Sequence, residues 1–199
     1  EVMRAGVERI GVVISPGDEA AYRAAAGSYA GSLRFIEQAA PLGYAHAVHS
    51  AAEFTGNDPF LLLVGDHLYL SSVAENCAQQ LIGTALAENC PVPAVQPTHE
   101  SQLPYCGAVG GQLVDAARGL YQVDTVLEKP TPTEAEQKID VPGLRAGYYL
   151  CFFGMHVLTP TVHRMLAEAF ARQRGNENSV HLRAALAQLA SHERYLAAE

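Results

Sequence analysis

The chain has 199 residues, enough for one α/β domain with a sizeable core. Its 13 Lys and Arg against 21 Asp and Glu give a net charge of −8, and lysine occurs only at Lys129 and Lys138, which argues against binding to a DNA or RNA backbone. A small phosphorylated ligand needs only one or two placed cations and stays open.

Cys77, Cys90, Cys106 and Cys151 form no Cys-x-x-Cys pair and no dense framework, the pattern of free thiols in a reducing cytosol. No apolar run reaches membrane-spanning length, and no signal-peptide pattern is visible in these residues. Glu1-Val2-Met3 reads as the tail of a helix already in progress, followed by a short helix tail or turn to Arg9. Ile10 to Ile14 predicts a strand, and the turn Ser15-Pro16-Gly17-Asp18 follows. Glu19 to Ala30 reads as helix, Ser32 to Gln38 as strand, and Ala39 to Ala45 as a turn into a helix running to about Phe54. Gly56-Asn57-Asp58-Pro59 breaks the chain before the apolar run Phe60 to Val64, a buried strand that ends in Gly65-Asp66-His67. Val73 to Glu88 predicts a helix capped by Ser71 or Ser72. Pro91 to Gln96 predicts a strand, its prolines favouring a start or an edge. Thr98 to Tyr105 suggests a helical turn. Cys106 to Val114 and Leu120 to Leu127 read as a glycine-punctuated ribbon and a strand. Thr131 to Lys138 is a loop or short helix, and Leu144 to Met155 a strand. Thr159 or Thr161 caps a helix from His163 to Arg172, Gly175 to Asn178 turn, and Val180 to Leu189 form a last helix. His192 to Glu199 also looks helical. The early alternation of strand and helix implies βαβ crossovers and a mostly parallel sheet.

Polar residues stand at three strand ends, where ligands gather in open α/β sheets. The first station is Gln38 to Gly43: the glycine lets a ligand lie against the backbone, and the Gln38 amide can read a pyrimidine edge. A plain strand–helix turn explains it equally. At the second, Asp66 reads either as a turn residue or as a hard oxygen ligand for a divalent ion such as Mg²⁺, with His67 as its neighbour or as a packing histidine. At the third, the Glu128 carboxylate can accept from sugar hydroxyls and the Lys129 ammonium can pair with phosphate, or both are ordinary surface charges. There is no Gly-x-Ser-x-Gly elbow, dinucleotide fingerprint or Walker A loop, and Cys106 reads as a buried thiol.

In chain order, Gln38, Pro41-Leu42-Gly43-Tyr44-Ala45-His46-Ala47-Val48, Leu63-Val64-Gly65-Asp66 and Val126-Leu127-Glu128-Lys129-Pro130 resemble the sugar-phosphate nucleotidyltransferase family. Within it they are most similar to the bacterial UTP–glucose-1-phosphate uridylyltransferases. Leu158-Thr159-Pro160 and Glu177-Asn178-Ser179-Val180-His181-Leu182 resemble its later segments. The resemblance implies a Rossmann-like three-layer nucleotide-diphospho-sugar transferase fold, α/β with a mostly parallel mixed sheet. It further implies that residues 1–199 are the central part of a single domain, truncated at both ends, with 97–143 a ribbon or loop excursion around the sugar site.

The same resemblance implies that Gln38 and Gly43 meet the uracil and Asp66 ligates Mg²⁺. Gly107 and Glu128 face the glucose, and Lys129 holds its phosphate. UTP, glucose 1-phosphate and UDP-glucose are the expected partners, in a cytoplasmic homo-oligomer. The sequence departs from the family pattern at Tyr105-Cys106-Gly107, where Cys replaces the usual Tyr, and at His181 and Arg183. The family's glycine-rich first loop and second metal-binding Asp lie outside residues 1–199, so little turnover is expected of this chain alone. Another nucleotide and sugar pair, or a non-catalytic nucleotide-sugar sensor, remain the alternatives.

Overall fold

A computed structural model describes residues 2–173 and 175–199. Glu1, the first residue of the expected helix tail, lies outside them; Val2–Ala5 form a 3₁₀ turn. The first apolar runs behave as the pattern predicts. β1 (Ile10–Ile14) and β2 (Leu33–Glu37) pair in parallel, with Ile10 opposite Leu33 and Ile14 opposite Glu37. Between them run α1 (Glu19–Ala26) and a 3₁₀ segment, Gly27–Ser32. α2 (Tyr44–Ser50) and the single turn α3 (Ala52–Thr55) lead to β3 (Phe60–Leu63).

The second sheet is six-stranded. It comprises β3, β4 (Val92–His99), β5 (Gly107–Asp115), β6 (Leu120–Glu128), β7 (Tyr148–Leu158) and β8 (Leu196–Ala198), in the order β3-β7-β4-β8-β6-β5. It is mixed, as expected, but its bonded neighbours are mostly antiparallel. Only β4 and β8 pair in parallel, because β7 inserts between β3 and β4 and runs against both. A further β7–β5 pairing closes the ladder of β7, β4, β8, β6 and β5 on itself. Residues 97–143 thus supply a hairpin, β5–β6, that is bonded into this sheet.

Helices cover both faces. The residues of β4 and β7 alternate between two cores, as a twofold side-chain period requires. Val95 and Leu158 face α2, α6 (Thr161–Arg172) and α7 (Leu182–His192); Ala94 and Val157 face α4 (Cys77–Glu88). A third cluster places Leu103, Ala108 and Cys151 under α5 (Pro132–Lys138).

Several local expectations are corrected. The helix expected from Val73 starts at Cys77: Asn76 accepts from the Gln79 amide while Gln79 reaches back to the Asn76 N–H, a reciprocal cap that Ser71 and Ser72 cannot match. β4 starts directly after Pro91, one of the two placements expected for its prolines, but it is not an edge, and its register shifts between Pro93 and Val95. The threonines do not cap α6, whose N-cap is Pro160; Thr159 Oγ1 instead donates to Glu193 at 2.6 Å. The helical-looking tail contains a strand: β8 slots between β4 and β6, and Tyr195, Leu196 and Ala197 are completely buried. Among the described residues no helix is long and apolar enough to cross a membrane.

The pivot of this architecture is Gly154. β7 pairs with β5 through Leu150 and Cys151, then with β3 from Met155 onward, and Gly154 takes φ +85° at the switch. A Cβ there would overlap Val64 Cγ2, so glycine is required both for the backbone conformation and for the close approach of β3.

Candidate functional site

The chain leaving β2 closes a small loop on itself. The Gln38 backbone N–H extends the ladder by donating to the Ile14 carbonyl at 2.8 Å. Its side-chain amide donates to the Gly43 carbonyl at 3.1 Å and lies 3.0 Å from His46 Nδ1. Gln38 and Gly43, expected together, are in direct contact. The Gln38 Nε2 group is thus used internally, and its side-chain oxygen makes no hydrogen bond among the described residues. Gly43 is the N-cap of α2, and no atom lies within 4 Å of where its Cβ would stand.

Asp66 sits exposed in the turn after β3. Its position is set by three ties to β7, two to Gly154 and one to Phe153. Val64 N–H donates to the Gly154 carbonyl at 3.0 Å, and the Tyr69 hydroxyl donates to the same carbonyl at 2.9 Å. His67 Nδ1 lies 2.6 Å from the Phe153 carbonyl, so this nitrogen carries the proton and donates it. His67 therefore fastens the loop to β7, and among the described residues no hydrogen bond joins it to Asp66. The Asp66 carboxylate acts electrostatically on two tyrosines. Loss of water around its hydroxyl, then Tyr69, pushes Tyr44 up to about 12, with Asp66 adding to the shift and Arg183 opposing it. This occurs although Tyr44 is 46% exposed as a whole residue. Tyr69 is raised too, first by burial and in smaller part by Asp66. Tyr44, directly after Gly43, thus links the first station to the second.

No group of three or more His, Cys, Asp or Glu side chains among the described residues forms a metal cage. Asp66 offers one hard, exposed carboxylate. That donor fits a Mg²⁺ that takes its other ligands from phosphate oxygens and water.

Gly107 opens β5 and Glu128 ends β6, and the two are paired across the hairpin. Lys129 follows in the left-handed conformation, φ +43°, which turns the chain sharply off the strand; its side chain is exposed and makes no ion pair among the described residues. Pro130 is buried, and Thr131 caps α5 by accepting from the Glu134 N–H at 3.2 Å. Cys106 is half-buried and its thiol donates to the Gln102 carbonyl at 3.2 Å, while Tyr105 is 76% exposed.

Arg183, from the first turn of α7, pairs with Glu128 and lies against Gly107. Sequence reasoning noted this residue only as a departure. Gly107, with no side chain, leaves room for a long one from elsewhere, but nothing local in the sequence points to Arg183. The structure therefore joins Gln38 to Gly43 and Gly107 to Glu128, and it sets Asp66 and Arg183 within electrostatic reach of Tyr44. Lys129 is tied to the group through its neighbour Glu128 alone. A separate cavity of about 230 Å³, lined by Arg172, His181 and Gln188 among others, contains none of the expected residues.

The chain is similar to a protein family, to curated relatives and to solved structures. The model of a family described as nucleotidyl transferase matches residues 1–198. A "UTP--glucose-1-phosphate uridylyltransferase 2" of Streptococcus pyogenes serotype M3 is 30% identical over 170 residues, covering 84% of this chain and 52% of the relative. A "UTP--glucose-1-phosphate uridylyltransferase" of Streptococcus pneumoniae serotype 4 is 31% identical over 147 residues, 73% of this chain and 45% of the relative. The chain thus spans about half the length of the curated relatives it matches. Among solved structures, a UDP-glucose pyrophosphorylase complexed with UDP-glucose superposes with a TM-score of 0.79 at 21% identity, over 99% of this chain and 74% of that one. A UTP-bound UGPase from Acinetobacter baumannii gives 0.67 at 17% identity, over 99% and 72%. At these identities the structural likeness concerns the fold.

Proposed function

The chain belongs to the nucleotidyl transferase family, and on that premise we propose that the protein it comes from transfers a uridylyl group from UTP to glucose 1-phosphate, forming UDP-glucose and pyrophosphate. The observation that supports this most is the span of the family match, residues 1–198, which runs through Gln38, Gly43, Asp66, Gly107, Glu128 and Lys129. The names of the curated relatives agree with it.

In this reading a phosphate oxygen of glucose 1-phosphate attacks the α-phosphorus of UTP in line. The new P–O bond forms as the bond to the bridging oxygen of the β-phosphate breaks, and pyrophosphate leaves with that electron pair. No side chain forms a covalent intermediate; positioning and charge neutralisation carry the rate. Gln38 and the Gly43 backbone orient the uracil. Glu128 accepts from glucose hydroxyls, and the Gly107 backbone lies against the sugar. The Lys129 ammonium, exposed and unpaired among the described residues, holds the sugar phosphate. Asp66 holds a Mg²⁺, which when bound neutralises phosphate charge. A homo-oligomer working in the cytoplasm belongs to the same proposal.

The test is pyrophosphate release by the complete gene product supplied with UTP, glucose 1-phosphate and Mg²⁺. Pyrophosphate and UDP-glucose in equal amounts are expected. Tight binding of UDP-glucose with no turnover would instead identify a sensor.

A further inference from the structure

Arg183 reaches from α7 to the open end of the β5–β6 hairpin, where three contacts meet. Its Nη1 pairs with the Glu128 carboxylate. A Cβ at Gly107 would overlap its Nε and Cδ, so the side chain lies directly on the glycine backbone. Its guanidinium carbon stands 6.0 Å from the Phe152 ring centroid. Among the described residues Glu128 is its one ion-pair partner. The groups assigned to the sugar are therefore already covered by a side chain of the same molecule. A hexose and this guanidinium compete for the same carboxylate oxygens and the same strip of backbone.

We propose that Arg183 is an intramolecular occupant of the sugar subsite, which the hexose of the ligand displaces and which thereby sets the affinity for neutral sugars. This rests on the assignment of Gly107 and Glu128 to the sugar. Glu128 already neutralises Arg183, so the pair has little net charge to offer a ligand phosphate. The two side chains keep partial contact with water, 27% and 35%, so the pair is screened and can be exchanged for a ligand. Gly107, with no side chain, is what admits either occupant.

Titration calorimetry on the complete gene product, with UDP-glucose and UDP as probes, tests this. Arg183→Ala is expected to bind UDP-glucose about fivefold tighter, the worth of one exposed ion pair, and UDP unchanged, because UDP carries no hexose. Arg183→Met keeps the apolar stem near Phe152 and the volume over Gly107 but releases Glu128; it is expected to fall between wild type and Arg183→Ala, and it remains measurable if the alanine variant folds poorly. UDP-glucose affinity unchanged or weakened in both variants, with UDP binding retained, overturns the proposal. Absence of both UDP-glucose and UDP binding in the wild-type protein overturns the underlying assignment as well.

Discussion

Asp66, Lys129 and the buried histidines call for different measurements because they act on different quantities. Asp66 is exposed and tied to β7 only through its neighbours. Asp66→Asn is expected to lower kcat on the order of 100-fold, as loss of a charge-stabilising group does, while the melting temperature moves little. A parallel fall in melting temperature would assign Asp66 to the fold. Lys129→Ala is expected to raise KM for glucose 1-phosphate about tenfold, the worth of one charge-assisted hydrogen bond, and to leave KM for UTP alone. An unchanged KM for the sugar phosphate would remove Lys129 from its role. His156 and His163 act on stability. Burial first, with Arg183 adding, pushes His156 down to about 3; burial, with His49 adding, pushes His163 down to about 4. Both stay neutral in the fold but take up a proton near pH 6.5 once unfolded, so the stability they allow is full above about 6.5 and is lost as pH falls toward 4 and 3. Each contributes about 2 kcal/mol of loss between pH 7.5 and 5. Thermal melts at those two pH values check this, and a His156→Leu variant should show a flatter dependence. Arg183 was not legible as part of the site, because its place beside Glu128 depends on how α7 docks across 55 residues of chain.

At the scale of elements, the loop that carries Asp66 depends on one glycine. Gly154→Ala forces a side chain into the left-handed region and against Val64 Cγ2, and about 2 kcal/mol or more of destabilisation is expected. Urea unfolding measures it, and limited proteolysis should show faster cleavage between Val64 and Val73. Unaltered stability would mean that β3 and β7 adapt without cost. The strands β1, β2 and β3 were legible because short apolar runs between turn residues admit few other structures. The start of α4 was not, since Ser71, Ser72 and Asn76 are all acceptable caps and only the reciprocal bond with Gln79 chooses among them. β8 was hidden for a different reason. Its bonds go to β4 and β6, residues far away in sequence, so the local pattern carries no trace of them.

For the whole molecule, the alternation of strand and helix predicts an α/β fold, and the family resemblance a mixed sheet; both form. The direction of its neighbours was beyond local pattern: β7, which follows β4 by about 50 residues, enters between β3 and β4, and its antiparallel run replaces the parallel contacts that alternating strands and helices suggest. The three stations were legible for a simpler reason. A charged or amide residue that ends an apolar strand marks the sheet's rim wherever the strand lies. The net charge of −8 makes the few placed cations matter for a phosphate ligand. The most direct test of uridylyl transfer is isotope exchange: the complete gene product, Mg²⁺, UDP-glucose and radiolabelled pyrophosphate, with the products separated by chromatography. Label in UTP and release of an equal amount of glucose 1-phosphate are expected. Unlabelled UTP pools, or UDP-glucose consumed to UMP and glucose 1-phosphate without incorporation of label, would contradict uridylyl transfer.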